Sequence, residues 1–129
     1  LKKAKLYKKL ANELKKKGSY SQARQYYMES MKLNPSDGSP YLAIAAMYAR
    51  SANNCGDSNF NKRAVFWLAA LEAEKAGRVD GRLKSAAAKS AASYRASAPS
   101  KSDIFNEANA GQTIRIGCWI GRSITVPNI

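Results

Sequence analysis

A chain of 129 residues carrying a net charge of +13 has room for one domain and little more. Its 45% hydrophobic and 24% charged content excludes a wholly disordered chain, and the length suffices for one core without an obligatory metal. Histidine is absent, which removes the commonest general base, the His-paired nucleophiles and most zinc sites, and two cysteines fall short of the four soft ligands of a structural zinc.

Five helices are predicted in chain order. From Lys3 to Lys17, residues Leu6, Tyr7, Leu10, Ala11 and Leu14 recur at helical spacing and read as one buried stripe. Gly18 ends this helix, because a closing residue often needs positive φ. Ser21 is expected to cap the second helix, whose stripe is Ala23, Tyr26, Tyr27, Ser30 and Met31, and Asn34-Pro35 stops it. So short a turn makes the two helices antiparallel. A third helix starts near Ser39-Pro40 with Tyr41, Ile44, Ala45 and Tyr48 inward. Residues 51–61, rich in Asn, Ser, Gly and Asp, read as a loop. The fourth helix, Lys62 to Ala76, turns Ala64, Trp67, Leu68 and Leu71 inward and closes at Gly77. The fifth runs from about Asp80 to Ala96 with Leu83, Ala87, Ala91 and Tyr94, ends at Pro99, and is followed by a stretch, Ser100 to Asn109, with no evident partner helix.

The period then changes. Gln112 to Val126 alternates apolar and polar residues with Gly121-Arg122 at the bend, which predicts a β-hairpin. Ile114, Ile116, Cys118 and Ile120 share one face of its first strand. An odd loop, read as three residues, brings Ile124 and Val126 to the same face. An isolated hairpin is marginal in water, so it must dock on the helices. Trp119 falls on the other side, either open as an interface anchor or packed on the last helix.

Charge is concentrated at the start: eight of the 22 cations lie in the first 17 residues against Glu13 alone. This helix is either a patch for phosphates or acidic peptides, or a solvated face whose lysines favour a helix C-terminus. Readers of single-stranded nucleic acid interleave cations with exposed aromatics, whereas Tyr7, Tyr20, Tyr26 and Tyr27 sit at packing spacings. A nucleic-acid or anionic-surface module is therefore the alternative, not the leading reading. The nine carboxylates are scattered, Glu72 and Glu74 fall on different helix faces and no phosphate-binding glycine loop is present, so the protein is expected not to be an enzyme and to need no cofactor.

Tyr7-x2-Leu10-Ala11-x2-Leu14 recurs as Tyr41-x2-Ile44-Ala45-x2-Tyr48, 34 positions on. With Gly18, Tyr20, Ala23-x3-Tyr27 and Pro35, the first unit strongly resembles a tetratricopeptide repeat. The resemblance implies a mostly α fold, an α-α superhelix within a single domain, residues 1–129. It comprises repeat one at 4–37, repeat two at 38–77 with an insert at 51–61, a partial third repeat at 78–99, and the hairpin at 112–127 as a C-terminal cap. The Asn-Cys-Gly insert, Lys-Arg-Ala-Val-Phe-Trp-Leu-Ala and the closing Ile-Gly-Cys-Trp-Ile also look like an exported subgroup of Bacteroidetes tetratricopeptide proteins. Because the chain opens at Leu1 within a helical pattern, a signal peptide or further repeats are expected to precede it.

The resemblance further implies a concave groove, lined by the first helix of each unit, that binds a peptide or partner protein. Its groove positions here are Lys5, Lys8, Asn12, Lys15 and Lys16, then Leu42, Ala46, Ala49 and Arg50, with Lys89 from the third unit. Lys8 with Asn12 matches the Lys-Asn pair with which some family members grip a peptide carboxylate. Ala43 stands where that clamp needs a second Asn, so the clamp is incomplete. The groove is then expected to be shallow, basic at one end and apolar at the other, and suited to an acidic or extended segment.

Cys55 in the insert and Cys118 in the hairpin would, if bonded, staple both unusual features together and stabilise the fold by at most about 4 kcal/mol. A disulfide is expected, with two inert buried thiols of a cytosolic protein as the alternative. The bonded form points to the periplasm or cell envelope, the reduced form to the cytoplasm.

Overall fold

A computed structural model describes residues 1–129. It is mostly helical, with one two-stranded antiparallel sheet at its C-terminal end. The helices are α1 (Lys2–Lys16), α2 (Tyr20–Leu33), α3 (Ser39–Arg50), α4 (Ala52–Cys55), α5 (Asn59–Val79), α6 (Lys84–Ser97) and α7 (Lys101–Glu107). The strands are β1 (Thr113–Ile116) and β2 (Arg122–Thr125). No helix is long and apolar enough to cross a membrane.

Three antiparallel helix pairs succeed one another along the chain. In the first, Ser30 Oγ near the end of α2 donates to the Ala4 carbonyl near the start of α1, and Ala11 and Ala23, both fully buried, allow close approach. In the second, the start of α3 meets the end of α5, where the Gly38 N–H donates to Asp80 Oδ2 at 3.1 Å. In the third, Phe66 faces Tyr94 near the end of α6 while Gly77 lies against Lys84 and Ala87 near its start, so α6 runs back along α5.

Several boundaries differ from the sequence reading. Gly18 (φ +79) does close α1, with its N–H on the Lys15 carbonyl and the Ser19 N–H on that of Leu14. These bonds tighten the turn so far that α2 starts at Tyr20, with Ser19 at the N-cap and no side-chain cap; Ser21 lies inside the helix. Part of the expected 51–61 loop is the single helical turn α4. Ser58 caps α5 through the Asn61 N–H, and the helix runs on through Gly77 to Val79. Gly77 therefore does not terminate it. A Cβ there would lie 3.1 Å from the Ala87 Cβ, so the glycine serves the close approach of α5 and α6. A 3-10 turn, Gly81–Leu83, capped by Asp80, precedes α6. The stretch after Pro99 holds α7, nucleated by a reciprocal capping box between Ser100 and Asp103, and Ile104 anchors it in the core.

The hairpin register pairs Ile114 with Ile124 and Ile116 with Arg122. The loop is thus odd, as expected, but spans five residues, 117–121, not three. Ile116, Ile120, Ile124 and Val126 are buried together, whereas Cys118 (φ +50) and Ile120 belong to the turn and not to the strand. The hairpin docks on the helices: β2 lies beside Trp67 and Leu71 of α5, and the turn reaches back to α2 and to Ser51 at the end of α3.

The apolar stripes are only partly covered. Tyr27, Tyr48, Ala64 and Leu68 are buried, but Leu6, Leu10 and Leu71 are 55%, 41% and 37% exposed. The contact face of α1 is built from Ala4 and Ala11, whose small side chains bring α2 close and leave the leucines on the flank.

Candidate functional site

Two clusters of cations have opposite fates. The first holds the hairpin turn. Arg24 shares a helical face with Tyr20, Tyr27 and Met31, so its guanidinium is carried into the interior. There it donates to the Trp119 and Ile120 carbonyls at 2.8 and 2.9 Å and to the Tyr48 hydroxyl at 3.1 Å. It also lies 5.0 Å from the centre of the Trp119 ring. Trp119 packs between Tyr20 and Tyr48, and its indole N–H donates to Ser51 Oγ at 2.9 Å. It is thus neither an open anchor nor packed on the last helix. Glu72, 4% exposed, accepts from Arg122 at 2.6 Å and from Lys75 at 2.9 Å. Cys55 and Cys118 form a disulfide across 63 positions, which ties the turn to α4.

The second cluster lies where α1 and α3 end. Lys15, Lys16 and Arg50 occupy the last turns of these helices, where carbonyl ends favour positive charge. Together with Lys9, Asn12, Tyr20 and Glu13, whose carboxylate is matched to Lys16 at 3.8 Å, they line a pocket of about 490 Å3. Lys15 and Arg50 have no carboxylate at ion-pair distance. Burial, and after it the neighbouring Arg50 charge, holds the Lys15 ammonium below its ordinary pKa. An anion seated there would offset both effects. Arg50 also lines a larger, adjoining pocket of about 750 Å3 beside Ser51, Trp119 and the disulfide.

No family model, curated protein or solved structure matches this chain.

Of the groove residues named from sequence, Asn12, Lys15, Lys16 and Arg50 come together, and Lys5 stands apart on the exposed face of α1. Lys8 is engaged by the chain itself, donating to Asp37 Oδ2 at 2.7 Å and to Ser39 Oγ at 3.2 Å. Burial raises the Asp37 pKa, but Lys8 and Ser39 outweigh it and the net shift is downward. Asn12 accepts the Tyr27 hydroxyl proton through Oδ1, and burial pushes Tyr27 up to about 12. The Lys8–Asn12 pair thus serves the joints between helices, and the amide N–H2 of Asn12 remains for the pocket. Leu42 and Ala46 lie half-buried two turns and one turn before Arg50, Leu42 packing with Tyr94 on an alanine cluster of α3, α5 and α6. Lys89 is exposed on α6. No three His, Cys, Asp or Glu side chains converge as a metal site would require.

Sequence reasoning missed Arg24 and Glu72. Each carried a signal, a charge on a buried stripe: Arg24 is four residues after Tyr20 and three before Tyr27, and Glu72 is four after Leu68.

Proposed function

We propose that this protein is a non-enzymatic interaction module of the tetratricopeptide type, a superhelical scaffold that holds an acidic, extended segment of a partner protein along α1 and α3. The observation that carries this reading is the convergence of Lys15 and Arg50, two cations without counter-ions, on one pocket that also presents the Asn12 amide. Charge-assisted hydrogen bonds from an ammonium, a guanidinium and an amide suit a carboxylate. Leu42 and Ala46 extend the same line on α3 toward a less polar stretch, as an extended peptide would need. An oxidising compartment, periplasm or cell envelope, fits the disulfide.

The test is titration of a fluorescent Glu-rich peptide against its Gln counterpart. Preferential binding of the Glu peptide, weakened several-fold by Lys15→Gln with Arg50→Gln, supports the reading; equal affinities for wild type and variant remove the pocket. The second reading, a nucleic-acid or anionic-surface module, is favoured by the lysines of α1 that lack ion-pair partners. It requires binding of a single-stranded oligonucleotide whose affinity falls steeply with salt, and a flat salt response dismisses it.

A further inference from the structure

We propose that the outer face of the α1/α2 pair, on the side of α1 away from the pocket, docks an amphipathic helix with acidic flanks from a partner protein. This surface is independent of the groove. Leu6 and Leu10 of α1 and Leu33 of α2 are 55%, 41% and 43% exposed. Between the two helices Tyr7 and Tyr26 stack with centroids 5.8 Å apart, and both are half-buried. Leucines along the helices and tyrosine rings in the valley between them make a channel of the kind into which another helix packs its ridge of side chains. By helical position, Lys8 and Asn12 point to the other side of α1, where their partners Asp37 and Tyr27 confirm the direction.

Charge selects the occupant. Lys2, Lys3 and Lys17 flank the leucines by helical position, and none of them has a carboxylate at ion-pair distance. The acids nearby, Glu13 and Glu29, are each matched with a lysine of their own helix, Lys16 and Lys32. A second copy of this chain would set these cations against their own kind, which is repulsive. A bilayer would meet tyrosines already stacked on one another in a valley, not an aromatic edge directed outward. A helix with apolar residues on one face and Glu or Asp along both edges satisfies the leucines and the lysines together.

The probe is a designed amphipathic peptide about five turns long, with leucines on one face and Glu on both flanks, compared with the same peptide carrying Lys flanks. Fluorescence anisotropy with wild-type protein should show binding of the Glu form and none of the Lys form. Leu6→Gln with Leu10→Gln should weaken binding about ten-fold or more, since exposed anchors contribute roughly that much, while Lys15→Gln with Arg50→Gln should leave it unchanged. Both leucines are exposed, and an unaltered urea midpoint identifies the double variant as folded; should it be destabilised, amide-exchange protection of α1 by the Glu peptide in wild type decides instead. Equal binding of both peptides, no protection of α1, or loss through the Lys15 and Arg50 changes overturns the proposal. Self-association in sedimentation that Leu6→Gln abolishes makes a second copy the occupant, and attachment to phosphatidylglycerol vesicles without peptide binding makes it a lipid surface. Either result also overturns it. Failure of the Glu-rich extended peptide to bind the pocket would leave this surface standing, so the two proposals fail separately.

Discussion

The hairpin clasp and the basic pocket use the same residue types for different ends. In the clasp Arg24, Lys75 and Arg122 are all matched to carbonyls, a hydroxyl or the buried Glu72 carboxylate. In the pocket Lys15 and Arg50 lie close enough to repel, and neither has a carboxylate partner. A cation that satisfies the chain's own acceptors stabilises the fold, whereas a cation held beside another cation is free to engage an outside anion. Net charge alone, +13, distinguishes neither.

This contrast can be broken at its strongest point first. Reduction, or Cys118→Ser, frees the turn that Arg24 grips; urea unfolding should show a loss of about 2 to 4 kcal/mol. No loss would mean that the side-chain clasp suffices without the covalent staple. Next, Glu72→Gln leaves Arg122 and Lys75 without a counter-charge, and unfolding stability should drop by about 2 kcal/mol, less than for a fully buried pair because both cations are partly exposed. Arg50→Gln, by contrast, should shift stability by no more than about 0.5 kcal/mol in either direction. If Arg50→Gln were the more damaging of the two, the distinction between the clusters would collapse.

Acid sharpens the contrast further. Asp80, held by the Arg82 side chain and the Gly38 N–H, has its pKa depressed to about 2, and Asp37 is also lowered. A carboxylate with a folded pKa below its unfolded value contributes stability that is complete above about pH 5 and lost as pH falls toward 2. The joint between α3 and α5 should therefore loosen in acid, and Asp80→Asn should flatten the stability profile over that window while leaving the pocket's affinity at neutral pH unchanged. The smallest effect is local. In Arg50→Gln the Lys15 ammonium should titrate at higher pH than in wild type yet stay below the ordinary lysine value, because burial, the larger cause, persists. Side-chain NMR of Lys15 reads this directly, and an unmoved titration would separate the two residues.

Helical periodicity, Gly18, Asn34-Pro35 and the alternation from Gln112 to Val126 are enough to place the first three long helices and the hairpin, because these signals act over a few neighbouring residues. The boundaries of α5 and the existence of α4 and α7 are harder to read. Gly77 looks like a terminator until Ala87 is seen against it, and the Ser100–Asp103 box is a local signal without a long apolar stripe to draw attention to it.

Of the pocket, Asn12, Lys15, Lys16 and Arg50 are legible in the sequence, while the removal of Lys8 from it depends on Asp37, 29 positions away. The sequence by itself determined which faces are apolar, where the first two helices stop, and that two thiols are the only pair available to bond. Only the tertiary structure decided which apolar face is covered, which cations find partners, and that the hairpin turn reaches back to α2. Periodicity reports the chemistry of one face, and the identity of what lies against that face is set by contacts between segments far apart in the chain.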